Sequence, residues 1–147
     1  MNNYITHIKS HLHISHDKDL IIDPHATCIE IDGFQSLTKM VLLYHKNPTF
    51  ATADRINKLD FLELDFNKYD KTFLSGLWYD NIHIISQPPP EQAEKFIAAV
   101  CIFARSVSFI MPKNAQYAFP TNFKCLFSQD LPEKEDMVFQ IWLKADY

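Results

Sequence analysis

A carboxamide followed by three prolines closes an apolar run of this chain: Asn81-Ile82-His83-Ile84-Ile85 leads into Ser86-Gln87-Pro88-Pro89-Pro90. The Gln87 side chain carries a carbonyl acceptor and an NH2 donor, and the prolines after it fix the backbone while offering no N–H of their own. The result is a hydrogen-bonding group on a stiff strand end. A second concentration of chemistry lies near the start, where His7, His11, His13 and His16 cluster. His7 and His11 are one helical turn apart, a spacing able to share a metal ion, but no Cys or acidic residue stands at a ligand spacing from them. They read as a solvated histidine face. Cys101 and His83 do not suggest a thiol nucleophile, because Cys101 falls within an apolar helical run. Tyr117, Phe119 and Phe123 would offer a stacking surface, but only Lys113 and Lys124 lie near, so core or partner contact fits them better. Glu133-Lys134-Glu135-Asp136 reads as a solvated turn.

The elements that would position these groups belong to one domain, 1–147, of 147 residues that are 47% hydrophobic and 14% aromatic. A net charge of −4 does not suit a self-sufficient nucleic-acid binder, which needs a basic face to neutralise phosphates. No apolar run approaches the roughly 20 residues of a membrane span, and residues 1–20 lack the apolar core of a signal peptide. Cys28, Cys101 and Cys125 are odd in number and widely spaced, which predicts reduced, mostly buried thiols in a cytoplasmic compartment. The Asn, Lys and Ile content suggests an AT-rich genome, viral or bacterial.

Ile5, Ile8 and Leu12 fall at helical spacing over 3–15. Leu20-Ile21-Ile22 reads as a first strand ending at Asp23-Pro24, and Ser36 to Lys39 as one helical turn. Met40 to Tyr44 is a second strand and Asp54 to Leu59 a weaker third. Asn81 to Ile85 is the fourth. Glu91 to Ala104 is the clearest helix, with Phe96, Ile97, Val100 and Phe103 on one face and prolines before its start. Val107 to Met111, Phe123 to Phe127 and Val138 to Leu143 complete seven strands, the last two paired antiparallel. Continuous apolar strands alternating with helices predict a buried, mostly parallel sheet.

The order of these pieces resembles the class I S-adenosylmethionine-dependent methyltransferases, and within them the adenine-amino methyltransferase-like domains that carry Asn-Pro-Pro-Phe. The segments carrying the resemblance are Ile22-Asp23-Pro24-His25-Ala26, Asp60-Phe61-Leu62, Ile84-Ile85-Ser86-Gln87-Pro88-Pro89, Lys95-Phe96-Ile97, Ser108-Phe109-Ile110-Met111-Pro112-Lys113 and Phe139-Gln140-Ile141-Trp142. Each is weak alone; their order from Asp19 to Lys144 points to the fold. The resemblance implies an α/β, Rossmann-like three-layer sandwich, a compact single domain with a seven-stranded sheet and an antiparallel last strand.

The resemblance also says where a site would lie. The family's glycine-rich cofactor turn, Ala-Gly-Asn-Gly, corresponds here to Ala26-Thr27-Cys28-Ile29, after Asp23. Both glycines are gone, and Thr27 and Ile29 are β-branched, the types least suited to positive φ. Read without the family, 23–33 is a strand-to-loop segment that packs Ile29 and Ile31. His45 stands where an acid would accept the ribose hydroxyls, while Asp60 keeps the position that lies near the adenine in the family. In the catalytic tetrapeptide, now Gln87-Pro88-Pro89-Pro90, the amide of Gln87 sits about a bond length too far along, a misplacement of about 1 Å that can cost on the order of a hundredfold in rate. Pro90 replaces a stacking ring that is worth roughly 1–3 kcal/mol.

These changes lead to the expectation of a vestigial site and a catalytically inactive methyltransferase-like protein with no cofactor. It would act as a binding, regulatory or scaffold subunit, pairing with an active nucleic-acid methyltransferase or with itself, and would meet nucleic acid only through that complex. The alternative is an active, divergent enzyme that uses S-adenosylmethionine to methylate adenine amino groups in DNA or RNA.

Overall fold

The computed structural model describes residues 2–26, 31–45, 56–58, 79–113, 118–131 and 136–145. Six strands among them form one sheet: β1 (Leu20–Asp23), β2 (Met40–Leu43), β3 (Ile82–Ser86), β4 (Ser106–Pro112), β5 (Phe123–Asp130) and β6 (Met137–Lys144). Their order across the sheet is β2-β1-β3-β4-β6-β5. The first four run parallel, and β6 lies antiparallel between β4 and β5. The expected third strand leaves one parallel bridge, Tyr44 to Asn57, at the outer edge of β2. Ile56 and Lys58 beside it are in no strand, and 54, 55 and 59 lie outside the described residues.

The central strands β1, β3 and β4 are buried on both faces because each alternates its side chains between two helical layers. Leu20, Ile22, Ile82, Ile84, Val107 and Phe109 meet Phe96, Ile97 and Val100 of α3 (Ala93–Val100). Ile21, Leu43, Ile85, Ile110 and Phe139 meet α1 (Asn2–His11) and α2 (Ile31–Leu37) through Tyr4, Ile5, Ile8, Phe34 and Leu37. This is the expected three-layer α/β architecture. The main surprise is α2. Residues 31–33, read from sequence as loop, are helical, and Ser36 closes that helix rather than opening a turn. A seven-residue helix with a glycine inside has little propensity to announce it. Packing supplies the reason, since a Cβ at Gly33 would stand 3.0 Å from Ile5 Cγ1, so the missing side chain lets α2 approach α1.

α3 is shorter than the expected 91–104. Pro90–Gln92 form a 3-10 turn ahead of it, and 101–103 form turns after it. Phe119 lies parallel to Trp142 at 4.0 Å and edge-on to Phe109 at 5.5 Å, so it belongs to the core rim rather than to an open stacking surface. Tyr117 lies outside the described residues. Among the described residues no helix is long and apolar enough to cross a membrane.

Candidate functional site

In an open α/β sheet, ligands gather at the carboxyl ends of the parallel strands. Three of the expected positions meet there. Asp23 ends β1, His45 follows β2, and Gln87 follows β3. Asp23 is buried, and its Oδ1 accepts the His25 N–H at 3.0 Å. The backbone then turns back on the neighbouring strand: the Tyr44 N–H donates to the Asp23 carbonyl, and the Ala26 N–H donates to the Tyr44 carbonyl at 2.8 Å. Ala26 is fully buried by that closure. His45 is half-buried, its ring 4.8 Å from that of His25. Thr27, Ile29 and Asp60 lie outside the described residues.

The tetrapeptide also separates into different environments. Gln87 is half-buried, Pro88 buried and Pro89 half-buried, while Pro90 is exposed and starts the 3-10 turn. The position where a ring would stack on a base is therefore the first residue of a helical turn, with Glu91 next to it.

Asp23, Ser86 and Gln87 border one cavity, walled by Tyr4, Ile5, Phe34, Ile85, Ile110 and Phe139. Its volume is about 20 Å³, room for about one water molecule. A nucleoside-sized ligand needs a pocket of about 300 Å³ or more. This cavity by itself is smaller than that. The Ser86 and Ser108 hydroxyls both line this cavity and, among the described residues, lack a hydrogen-bond partner. Each is buried, so the cavity suits a bridging water. Sequence reasoning missed both serines, although Ser106 and Ser108 share a parity in an apolar strand, which marks polar groups turned inward together.

A second polar constellation lies at the opposite, amino edge of the sheet and was also missed. His83 Nε2 is 3.0 Å from Asp19 Oδ2, and His83 Nδ1 is 2.7 Å from Ser106 Oγ. All three side chains are buried. Burial pushes the Asp19 carboxyl up, but the His83 hydrogen bond, the Ser15 N–H, the His83 charge and Asn81 together hold it below its ordinary value. Ser106 is wholly enclosed, so this Ser-His-Asp array is a structural relay tying the start of β1 to β3 and β4.

The N-terminal histidines lie largely at the surface, as their spacing suggests, with His11, His13 and His16 exposed and His7 half-buried. His7 stacks on Phe127 at 4.4 Å, and His11 lies 4.7 Å from the same ring. Among the described residues no group of three or more His, Cys, Asp or Glu side chains is placed to hold a metal ion.

The cysteines divide. Cys101 is buried, and burial pushes its thiol up to about 12. Cys125 is exposed on the edge strand β5, contrary to the expectation of buried thiols; Cys28 lies outside the described residues. Because only the thiolate is nucleophilic, iodoacetamide at pH 8 should modify Cys125 at least roughly tenfold faster than Cys101. Peptide mass mapping over time checks this, and equal rates would mean that α3 opens readily.

No protein-family model matches the sequence, and no curated protein matches it. Solved structures do match in fold. The chain is similar to the 23S rRNA methyltransferase ErmE, with TM-score 0.65 and 10% identity over 97% of this chain and 67% of that one. It is similar to the putative methylase HI0767 from Haemophilus influenzae, with TM-score 0.64 and 13% identity over 96% of this chain and 93% of that one. It is also similar to the putative methyltransferase yhhF from Escherichia coli, with TM-score 0.63 and 9% identity over 99% and 85%. The fold is that of the class I methyltransferases.

Proposed function

We propose that this chain is a catalytically inactive methyltransferase-fold protein that works by binding, as a regulatory or scaffold subunit of an active nucleic-acid methyltransferase. The observation that supports the reading is the small size of the cavity beside Asp23 and Gln87. Tyr4, Ile5 and Phe34 pack around Asp23 and Gln87 and leave a cavity of about 20 Å³. Sequence changes support it independently: His45 in place of a ribose-binding acid, Thr27 and Ile29 in place of glycines, and Pro90 in place of a stacking ring. A nucleic-acid target for the partner is suggested by ErmE, which acts on 23S rRNA. The formal charge of −4 argues that this chain would reach nucleic acid only within a complex.

Calorimetry with S-adenosylmethionine tests the first half. No heat of binding is expected at ligand concentrations up to about 100 μM, where a working site would be titrated. Low-micromolar binding would overturn the reading. The second half is tested by copurification and light scattering, where a strict monomer without a methyltransferase partner would defeat it.

One observation favours the runner-up, an active and divergent adenine-amino methyltransferase. Asp23, Ser86 and Gln87 converge on the same small cavity at the carboxyl edge. That reading requires methyl transfer to an oligonucleotide and its loss in Gln87→Ala.

A further inference from the structure

The outermost strands of the sheet, β2 and β5, end differently. Beyond β2, the Asn57 N–H donates to the Leu43 carbonyl at 2.8 Å, and the His45 N–H donates to the Asn57 carbonyl at 3.0 Å. Beyond β5 there is no such cover. Among the described residues, no element except β6 bonds the backbone of residues 124–130. The ladder tells which groups are left over. The Leu131 N–H donates to the Met137 carbonyl, and the Ala145 N–H to the Asn122 carbonyl. Opposed residues of an antiparallel pair alternate between those that exchange hydrogen bonds and those that do not. Counting from these two anchors, and skipping the bulge between Cys125 and Phe127, the backbones of Lys124, Phe127 and Gln129 turn toward β6. Those of Cys125, Ser128 and Asp130 turn outward.

We propose that this strand pairs with β5 of a second copy of the chain, antiparallel across a two-fold axis, so that the two sheets become one. A row of outward N–H and C=O groups is matched by another extended strand. Strands that must stay single carry prolines or inward-pointing charges, and residues 123–130 include no proline and no buried charge. Leu126, 40% exposed, is one of two large apolar side chains left in solvent among the described residues, and it lies on this strand.

Charge selects a second copy as the partner. One end of β5 carries Lys124, with Lys144 Nζ 5.5 Å from the centre of the Phe123 ring. The other end carries Asp130, whose Oδ2 is 2.6 Å from Lys113 Nζ, and Asp136, whose charge also acts on Lys113. The first end is positive and the second has one negative charge in excess. An antiparallel copy sets each positive end against a negative one, whereas a parallel copy would set like against like. With the axis at Phe127, outward residues meet outward residues. Ser128 faces the partner's Cys125, and Asp130 faces the partner's Phe123. Phe123 gives its own N–H to the Pro120 carbonyl at 3.0 Å, so only its carbonyl joins the new ladder. Both strands carry the bulge at Leu126, so it falls once on each side of the axis and the pairs beyond it stay matched.

The test uses the full chain. Light scattering and sedimentation should show a closed dimer at about 100 μM, a concentration above the Kd of a specific interface. A strict monomer there would overturn the inference, and so would oligomers that keep growing with concentration, because a two-fold contact closes. Ser128→Pro removes an outward N–H without touching the ladder to β6, and it should raise the dimer Kd at least about tenfold. An undiminished dimer in this variant would place the contact elsewhere and overturn the inference. Should the proline disturb folding, Ser128→Cys decides the matter. Residues in an exchanging pair have Cα atoms about 5.5 Å apart, within reach of a disulfide. Mild oxidation should therefore yield a covalent dimer whose peptide map joins position 128 to the partner's Cys125; a dimer that gives no such link overturns the pairing. The inference is independent of the proposed function. A chain that is monomeric alone but still copurifies with a methyltransferase defeats the self-pairing and leaves that reading standing.

Discussion

Replacing His83 with leucine should lower the free energy of unfolding at pH 7 by about 3–5 kcal/mol, the usual cost of leaving a buried charge, here the Asp19 carboxylate, without its partner. For a domain whose whole stability is of the order of 5–15 kcal/mol, this approaches the limit of what can be lost. Asp19 and His83 are 3% and 2% exposed, so solvent cannot take over when the imidazole goes. The Ser15 N–H still bonds Asp19 Oδ2 at 3.0 Å and the Asn81 side chain remains, but these neutral donors do not fully compensate a buried carboxylate. The Ser106 hydroxyl is orphaned as well, adding roughly 1–3 kcal/mol of desolvation already contained in the range given.

The pH dependence separates this account from a plain packing defect. In the native protein the hydrogen bonds from His83 and Ser15 hold the Asp19 carboxyl below its ordinary value. A depressed folded value contributes stability that is fully present above the unfolded value and lost as the pH falls through the folded one. In His83→Leu both lowering influences of His83 are gone, so burial, the largest single influence, is opposed only by the Ser15 N–H and Asn81. The variant's deficit relative to the native protein should therefore shrink as the pH is lowered from 7 toward 4. Urea unfolding at several pH values measures this. A deficit that stays constant would mean that the pair contributes shape rather than charge. Adding Asp19→Asn to His83→Leu should restore more than half of the loss at pH 7.

The unequal legibility of the two edges has a physical cause. The carboxyl edge was readable because its markers are local: Asp23-Pro24 and Gln87-Pro88-Pro89 each combine a strand end with a backbone restriction that a sequence states outright. Parallel order followed from continuous apolar runs such as Met40 to Leu43 and Ile82 to Ile85, which only a sheet covered on both faces needs. The amino edge was illegible because its chemistry is assembled across the chain. Asp19 and His83 are 64 residues apart, and His83 and Ser106 are 23 apart. Each is an ordinary polar residue until β1, β3 and β4 align in register. The helix α2 was missed for a related reason. Its stability comes from Phe34 and Leu37 against α1, a tertiary contribution that a seven-residue window does not contain. The ring contacts of His7 and His11 with Phe127 of the edge strand could not be read either, because periodicity says which residues share a face but not what lies against it.

The same contrast makes Phe34 the most informative residue of the carboxyl edge. Its side chain is 1% exposed and walls the small cavity beside Asp23 and Gln87. Phe34→Ala should destabilise the protein by about 3–5 kcal/mol, the range for truncating a buried phenylalanine when the surroundings relax only in part. Thermal or urea unfolding reads that loss directly, and a cost below about 1 kcal/mol would mean that α2 collapses into the space. The variant also asks which feature keeps a methyl donor out. If bulk alone were responsible, removing the ring would bring measurable S-adenosylmethionine binding. No binding is expected, because enlarging the cavity leaves His45 where a ribose acceptor would be needed and leaves Asp23 Oδ1 bonded to the His25 N–H. Heat of binding in Phe34→Ala, absent from the unmodified chain, would show instead that a single aromatic plug separates this fold from a working cofactor site.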